Sequence, residues 1–354
     1  MAFETTSSAP SATPAAPPAS PIRGRVLLVS ALLVLANAAA WMWALAAFHR
    51  HPLLLGTALL AYSFGLRHAL DADHIAAIDN VTRKLMQQGR RPISVGLFFS
   101  LGHSTIVFAL SLLIAATSMT IKNHFESLAS IGSVIGTSVS VLFLFAIALA
   151  NMIVLLSVYK MFRRVRRGEQ LSDENLNAVL SGRGFFARIF RGLFQMIKHG
   201  WQMYLVGFLF GLGFDTATEI GLLGISAAGA TQGLSMWAIL IFPTLFAAGM
   251  ALVDFTVNIL MLSAYGWAYV KPVRKLYYNM TITLLSVLVA LLVGGIELLG
   301  LIGAHLNLHG WIWDSVGALN EHSGLVGLLI IGIFAASWCG SLLFFKLGRY
   351  DERR

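Results

Sequence analysis

Residues 64–80 read FGLRHALDADHIAAIDN, and their mixture of apolar and charged residues is the best guide to the fold of the chain. It lies within a long run of apolar residues. It nevertheless carries one arginine, two histidines and three aspartates within thirteen residues, from Arg67 to Asp79. A charged side chain in the middle of a membrane is costly, so such residues normally face the protein interior and mark a site or a path. The stretch therefore predicts a buried polar site in an otherwise apolar helix.

The composition around this stretch is that of an integral membrane protein. Of the 354 residues, 57% are hydrophobic and only 12% are charged, whereas soluble domains carry roughly 25% charged residues. Apolar runs long enough to cross a bilayer as helices occur near residues 26–48, 52–80, 93–119, 128–159, 200–228, 235–267, 277–303 and 324–345. We therefore predict an all-α integral membrane protein, a polytopic bundle of about eight transmembrane helices in the cytoplasmic (inner) membrane.

The distribution of basic residues predicts the orientation of this bundle. Lys and Arg accumulate in short cytoplasmic loops. With the N-terminus inside, nearly all of the 25 basic residues fall on the cytoplasmic side, including Arg83 and Lys84 in the first inner loop. The outer loops keep only Arg50 and Lys122. Both termini are thus predicted to be cytoplasmic, and the net charge of +9 follows from topology and requires no nucleic-acid partner.

Segment composition predicts the domain organisation. Residues 1–22 are rich in Ala, Pro, Ser and Thr and are predicted to be a disordered cytoplasmic tail. The eight-helix membrane domain is expected over 23–348, with a basic cytoplasmic connector at about 160–199, and 349–354 form a short cytoplasmic tail. A cleaved signal peptide is an alternative for the first apolar run, but that run continues to Phe48, which is longer than a signal core.

Three further spans carry polar residues that are unusual at membrane depth: His103 in the third, Asp215 and Glu219 in the fifth, and Asp254 in the sixth. Asp215 and Glu219 are four residues apart on a helix, and two carboxylates at that spacing repel each other unless they share a cation or a proton. A lone histidine such as His103 is as often a hydrogen-bonded packing residue as a ligand. Together these residues indicate cation handling.

Helix geometry restricts how the second span can bind an ion. His68, Asp71 and His74 form one stripe of a regular helix, yet the two histidines lie about 9 Å apart along its axis, too far to bind one ion together. Either the helix is broken near Gly65, as transporter helices often are at their sites, or ligands come from several helices. Arg67 precedes Asp71 by four residues and is expected to pair with it.

The ligand types define the class of ion. Imidazoles and carboxylates without thiolates suit Ni²⁺, Co²⁺ or Zn²⁺ better than Cu(I), Mg²⁺ or Ca²⁺. The single cysteine, Cys339, excludes a multi-thiolate metal site. The sequence contains no nucleotide-binding motif such as a Walker A sequence. Any movement of ions by this chain is therefore expected to draw its energy from gradients or from a partner.

Four motifs resemble the signatures of the nickel/cobalt transporter family, the high-affinity nickel permeases. They are RHALDADHIAAIDN (67–80), LGHSTIV (101–107), LGFDTATEIGLL (212–223) and LFAAGMALVD (245–254). Their order and their placement in the spans match the family, and the resemblance extends over the chain from about residue 25. It implies a secondary transporter that imports Ni²⁺, and also Co²⁺, as its substrate and needs no cofactor.

The resemblance also implies site residues. The family pattern of His, four residues and Asp-His corresponds to His68, Asp73 and His74. Because a regular helix turns Asp73 away from His68, we expect the helix to be distorted there. An Asn in the first span, here Asn37, is associated in the family with the same site and with ion choice. The predicted metal-handling residues are Asn37, His68, Asp71, Asp73, His74, His103, Asp215, Glu219 and Asp254.

One part of the sequence departs from the family pattern. Where relatives continue the sixth-span motif with a hydroxyl and a second carboxylate, this chain has Phe255 and Val257.

The alternative function is a membrane-embedded metalloenzyme of the hydroxylase or desaturase type. Such enzymes hold two metals with several histidine-rich boxes, and this chain has only three histidines deep in its spans.

Overall fold

The computed structural model describes residues 20–116, 122–166, 197–212, 217–268 and 272–347, and within them the only regular structure is helical. The helices are α1 (Ser20–Phe48), α2 (Pro52–His68), α3 (Ala72–Gln87), α4 (Val95–Ala116), α5 (Lys122–Arg166), a short 3₁₀ helix (Gly200–Gln202), α6 (Met203–Phe210), α7 (Ala217–Thr231), α8 (Met236–Ile239), α9 (Ile241–Ala268), α10 (Pro272–His305), α11 (Trp311–Glu321) and α12 (Ser323–Leu347). The C-terminal tail and most of the predicted N-terminal tail and connector lie outside the described residues. Because α1 begins at Ser20, the helix includes the last residues of the predicted tail, 1–22.

Five described helices are long and apolar enough to cross a membrane: Ile22–Phe48, Val95–Ala116, Val134–Ser157, Met236–Tyr265 and Thr283–His305. Two bent helix pairs, α2 with α3 and α11 with α12, raise the number to seven if each pair is one span. The predicted fifth span, 200–228, corresponds to α6 and α7, between which residues 213–216 are outside the described part. The prediction of a multi-pass helical membrane protein is confirmed.

The distribution of side chains is that of a protein surrounded by lipid. Large apolar residues face outward; the side chain of Leu27 on α1, for example, is 69% exposed, and Leu325 on α12 is 64% exposed. Charged and polar residues are instead enclosed, and His74 and Asp254 have no exposed surface. Lipid offers no hydrogen bonds, so polar groups are stable at membrane depth only inside such a bundle.

Helix α3 is enclosed on all sides. It packs against α4, α5, α9, α10 and α12, and all of its residues except Asp73 and Met86 are buried. The prediction that Arg83 and Lys84 belong to a cytoplasmic loop is wrong, because α3 continues to Gln87 and its neighbours cover both side chains. A charge count along the sequence cannot distinguish a loop from a helix end that other helices surround.

Glycines allow the helices around α3 to approach closely. A side chain at Gly65 of α2 would overlap the backbone of Phe246 on α9. Gly102 of α4 faces the carbonyl of Tyr204, and Gly207 of α6 faces the carbonyl of Phe99 in the same way. Small residues at crossing points are the usual device for packing helices in membranes, and here they draw α2, α4, α6 and α9 together around the polar residues.

Candidate metal site

The stretch that carries the two histidines of the second span forms two helices. α2 ends at His68 and α3 begins at Ala72, and their axes differ by 49°. Gly327 of α12 packs against the carbonyl of Leu70 in the connecting turn, where a side chain would overlap that oxygen. The predicted break is therefore present, but it lies at residues 69–71, whereas Gly65 remains inside α2.

The break brings three buried histidines together. The ring centroids of His68 and His74 are 4.6 Å apart. His103 of α4 lies 4.7 Å from His68 and 5.0 Å from His74. One ring nitrogen of each histidine lies within 4.8 Å of the others. The histidines come together because the helix is broken at residues 69–71 and because α4 supplies the third imidazole.

Glu219 of α7 adds a carboxylate to this cluster. Its Oε1 lies 2.7 Å from His103 Nε2 and 3.8 Å from His68 Nε2. The two Nε2 atoms are themselves 3.0 Å apart. Two imidazole nitrogens in contact need a proton between them or a cation in place of that proton. His68, His103 and Glu219 therefore surround a position that favours a positive charge.

His74 and Asp254 of α9 form the other side of the site. His74 Nδ1 lies 3.5 Å from Asp254 Oδ2. Neither ring nitrogen of His74, and neither oxygen of Asp254, has a hydrogen-bond partner among the described residues, and both side chains are completely buried. Buried polar atoms without partners are destabilising by about 1–3 kcal/mol each. A divalent cation would supply the missing interaction for both side chains.

Asp71 orients His68. Its Oδ2 lies 2.9 Å from His68 Nδ1, and its Oδ1 accepts a hydrogen bond of 2.8 Å from Ser323 of α12. Thr218 Oγ1 is also 3.3 Å from His68 Nδ1. When Nδ1–H donates to a carboxylate, Nε2 keeps its lone pair for a metal, which is the usual second-shell arrangement around ligating histidines.

The predicted ion pair between Arg67 and Asp71 is wrong. Arg67 is exposed, and its Nη2 lies 3.4 Å from the carbonyl oxygen of Glu321. No ion pair joins Arg67 to Asp71 among the described residues. The reason is the end of α2 at His68, because the four-residue spacing that brings side chains together holds only within a continuous helix.

Aromatic rings enclose the histidines. The ring of Phe99 meets His74 edge to face at 4.7 Å, and the ring of Phe246 lies 5.5 Å from His68. These rings exclude water and lower the local dielectric, which strengthens electrostatic interactions with a bound ion. Sequence analysis missed both rings and Ser323. Phe246 at least lies in a quoted motif, but nothing in the sequence relates Ser323 to Asp71, 252 residues away.

Asp73 lies close enough to His68 for the two side chains to interact electrostatically. It is half-buried and lines a separate small cleft together with Glu297, Asn320 and Ser323. This placement agrees with the direction expected from a regular helix. The break lies before Asp73, so Asp73 and His74 are consecutive residues of α3 and project about 100° apart around its axis.

Asn37 connects helices next to the cluster. Asn37 of α1 donates hydrogen bonds to the carbonyls of Leu33 and Ala248, and its amide oxygen accepts one from Tyr62 of α2. It therefore connects α1 with α2 and α9. Asp215 lies outside the described residues.

Phe255 and Val257, the two residues that depart from the family motif, both lie in apolar surroundings. Phe255 packs with Leu33 and Ala251 between α1 and α9. Val257 is buried in the large hydrophobic cluster around α3. Both side chains thus contribute to helix packing, and Asp254 alone carries the carboxylate that faces His74.

A comparison with protein families finds one match, to the family described as high-affinity nickel-transport protein, over residues 54–344. A high-affinity nickel transport protein of Cupriavidus necator is 57% identical over 330 residues, which cover 93% of this chain and 94% of that protein. The hydrogenase nickel incorporation protein HupN of Bradyrhizobium diazoefficiens is 51% identical, covering 89% of this chain and 82% of its own.

A further relative is named for another ion. The cobalt transport protein NhlF of Rhodococcus rhodochrous is 40% identical, and the match covers 82% of this chain and 83% of that protein. No solved structure matches the chain.

Proposed function

This chain belongs to the family of high-affinity nickel-transport proteins, and from that premise we propose that it imports Ni²⁺ through the cluster of His68, His74 and His103. Relatives that match most of the chain are named as transport proteins, so the chain is a transporter and not a membrane-embedded metalloenzyme. Nickel is accordingly the substrate that passes through the protein, and it is not a resident cofactor.

The observation that carries the proposal is the set of buried polar atoms without partners around the three histidines. Imidazole nitrogens are good ligands for borderline divalent ions. Glu219 adds one negative charge beside His68 and His103, and Asp254 adds another beside His74. Five helices supply these groups, so a small relative movement of the helices changes the site from one that binds to one that releases.

The remaining predicted residues act outside this cluster. Asp73, together with Glu297 in the adjoining cleft, attracts the cation before it reaches the histidines. Asn37 influences the site indirectly, through the contact of α1 with α2 and α9. Asp215 precedes Glu219 by four residues in the sequence and would add a further negative charge to the site.

The proposed topology has eight spans with both termini in the cytoplasm, in the inner membrane. The domain limits remain those expected from composition: a cytoplasmic tail at 1–22, the transport domain at 23–348 with its connector at about 160–199, and a tail at 349–354. Removing the buried Arg83 and Lys84 from the inner loops leaves the excess of basic residues on the cytoplasmic side intact.

Transport is proposed to be driven by the membrane potential, since the sequence has no nucleotide-binding motif. Each elementary charge that moves inward gains about 2.3 kcal/mol per 100 mV, so a divalent ion gains about 4.6 kcal/mol. The lipid bilayer and the metal ion are then the only partners that the mechanism requires.

Uptake of radioactive nickel by cells that express the chain tests this function. We expect saturable uptake that excess Co²⁺ inhibits, because one relative is named as a cobalt transport protein and Co²⁺ favours the same ligands. Excess Mg²⁺ should have little effect, since it favours oxygen ligands and keeps its waters. Uptake no greater than that of cells without the protein would refute the proposal.

A further inference from the structure

The polar groups do not end at the histidine cluster. On α9, Asp254, Asn258 and Tyr265 lie within about 40° of one another around the helix axis. They face α3, where Asp254 lies beside His74, Asn258 Nδ2 donates to Thr82 Oγ1 over 2.8 Å, and the hydroxyl of Tyr265 donates to Asp79 Oδ1. Two facing polar rows thus continue from the site toward the end of α3.

Asp79 is the next carboxylate along α3 after the cluster. It lies five residues beyond His74, about 7.5 Å along the helix, and it is completely buried. Tyr265 occupies its Oδ1, but Oδ2 has no hydrogen-bond partner among the described residues. Ser286 of α10 lies near the same carboxylate, and Asn258 Oδ1 is a second buried acceptor without a partner in the described part of the chain.

Arg83 lies one turn beyond Asp79 and is almost completely buried, with 1% of its surface exposed. Its Nη2 donates to Asn80 Oδ1 over 3.0 Å, and that oxygen also accepts a hydrogen bond from Asn151 of α5. The Nε and Nη1 atoms have no hydrogen-bond partner among the described residues. The guanidinium is near Asp79. Among the described residues, however, no ion pair joins Arg83 to Asp79.

Two opposite charges that are buried one helical turn apart would be expected to pair directly, because a buried charge without a partner is strongly destabilising. Here Arg83 donates to Asn80, whose side chain Asn151 holds in place, whereas Tyr265 donates to Asp79. The carboxylate therefore keeps one oxygen available to another cation. A rotation of the long Arg83 side chain would bring its guanidinium to that oxygen.

We propose that Asp79 is a second binding station for the divalent cation, and that Arg83 is a tethered cation that replaces the ion at Asp79 when the ion leaves. The proposal rests on the transport function proposed above. The ion passes from His74 and Asp254 to Asp79, with Asn258 and Tyr265 beside its path. Arg83 then pairs with Asp79, which promotes release and blocks return.

Equilibrium binding of radioactive Ni²⁺ to the purified full-length chain tests the station. We expect the wild type to bind a second, weaker ion per chain beyond that of the histidine cluster. Asp79→Asn has nearly the same shape but lacks the charge, and it should lose only the weaker ion. His74→Ala should lose the tighter one. The matched control is Asp314→Asn, because Asp314 is an exposed aspartate of α11, and it should bind as the wild type does.

Transport kinetics test the role of Arg83. Asp79→Asn should lower the maximal uptake rate about tenfold or more without changing the half-saturating concentration, because capture occurs earlier, at the histidines. Arg83→Gln should tighten binding of the weaker ion and also lower the maximal rate, because nothing replaces the ion at Asp79. Arg83→Lys keeps a tethered charge and should recover most of the rate.

The outcomes separate this inference from the proposed function. If cells that express the wild type take up no more nickel than cells without it, the proposed function is refuted. The binding measurement would still decide whether Asp79 holds an ion. If Asp79→Asn and the wild type bind the same number of ions, the station is refuted. If Asp79→Asn does not accumulate, Tyr265→Phe replaces it in both assays. That variant removes only the hydroxyl beside Asp79, and unchanged binding of the weaker ion together with an unchanged rate would refute the inference.

Discussion

At the scale of single residues, His74 is the most informative histidine of the site, because both of its ring nitrogens lack a partner among the described residues. It is a poor candidate for a purely structural role, since its removal breaks no hydrogen bond that the structure records. We therefore expect His74→Ala to abolish nickel uptake while the protein still accumulates in the membrane.

The control for this prediction is His49→Ala, because His49 lies exposed at the end of α1. Uptake of radioactive nickel and membrane abundance are measured for both variants. Near-normal uptake by His74→Ala would remove this residue from the site. Loss of the protein itself would show that the imidazole holds the helices together.

Asp71 is expected to act through His68 and not as a ligand. Asp71→Ala leaves His68 Nδ1 without its carboxylate, and such second-shell changes typically lower metal affinity about 10–100-fold. The half-saturating nickel concentration should rise accordingly. Asp71→Asn should be milder, since an amide oxygen still accepts a hydrogen bond from Nδ1.

Binding to purified protein distinguishes this role from direct ligation. Because Asp71 and His68 act as one unit, the double variant Asp71→Ala, His68→Ala should bind nickel no more weakly than His68→Ala alone. A further loss in the double variant would show that Asp71 contacts the ion independently.

At the scale of the helices, the break between α2 and α3 creates the site. On a continuous helix His68 and His74 would be about 9 Å apart along the axis, yet their ring centroids are 4.6 Å apart. The connecting turn is held from outside by α12, through Gly327 against Leu70 and Ser323 against Asp71. The geometry of the site thus depends on a helix that contributes no histidine to it.

Gly327→Val is expected to abolish transport, because the new side chain would overlap the carbonyl of Leu70 and displace the turn that positions His68. Gly332→Val on the same helix is the matched control, since nothing lies within 4 Å of a side chain placed there. Uptake and membrane abundance are compared for the two variants. Equal uptake would mean that α12 does not set the position of the break.

At the scale of the whole molecule, the proposed orientation and the charge of the substrate make transport depend on the membrane potential. We expect dissipation of the membrane potential with an ionophore to lower nickel accumulation strongly, because a divalent ion loses about 4.6 kcal/mol of driving force per 100 mV. The measurement is uptake at fixed external pH with the potential clamped at several values. Accumulation that does not change with the potential would require another source of energy.

Local patterns in the sequence are enough to predict the class of the molecule and most of its candidate ligands. Hydropathy is a local property, so runs of apolar residues predict membrane helices without reference to the rest of the chain. Charged residues within those runs predict a site for the same reason. His68, His74, His103, Glu219 and Asp254 were all found in this way, and the structure brings all five together.

Which side chains meet depends on contacts between helices that the sequence does not reveal. They place Asp73 in a cleft beside Glu297, Asn37 in contact with α9, Asp71 against His68, and Arg83 inside the bundle. Each of these outcomes depends on contacts between residues far apart in the chain, such as Ser323 with Asp71. Spacing along a helix predicts neighbours only while the helix is continuous, and packing against α12 sets where this one ends.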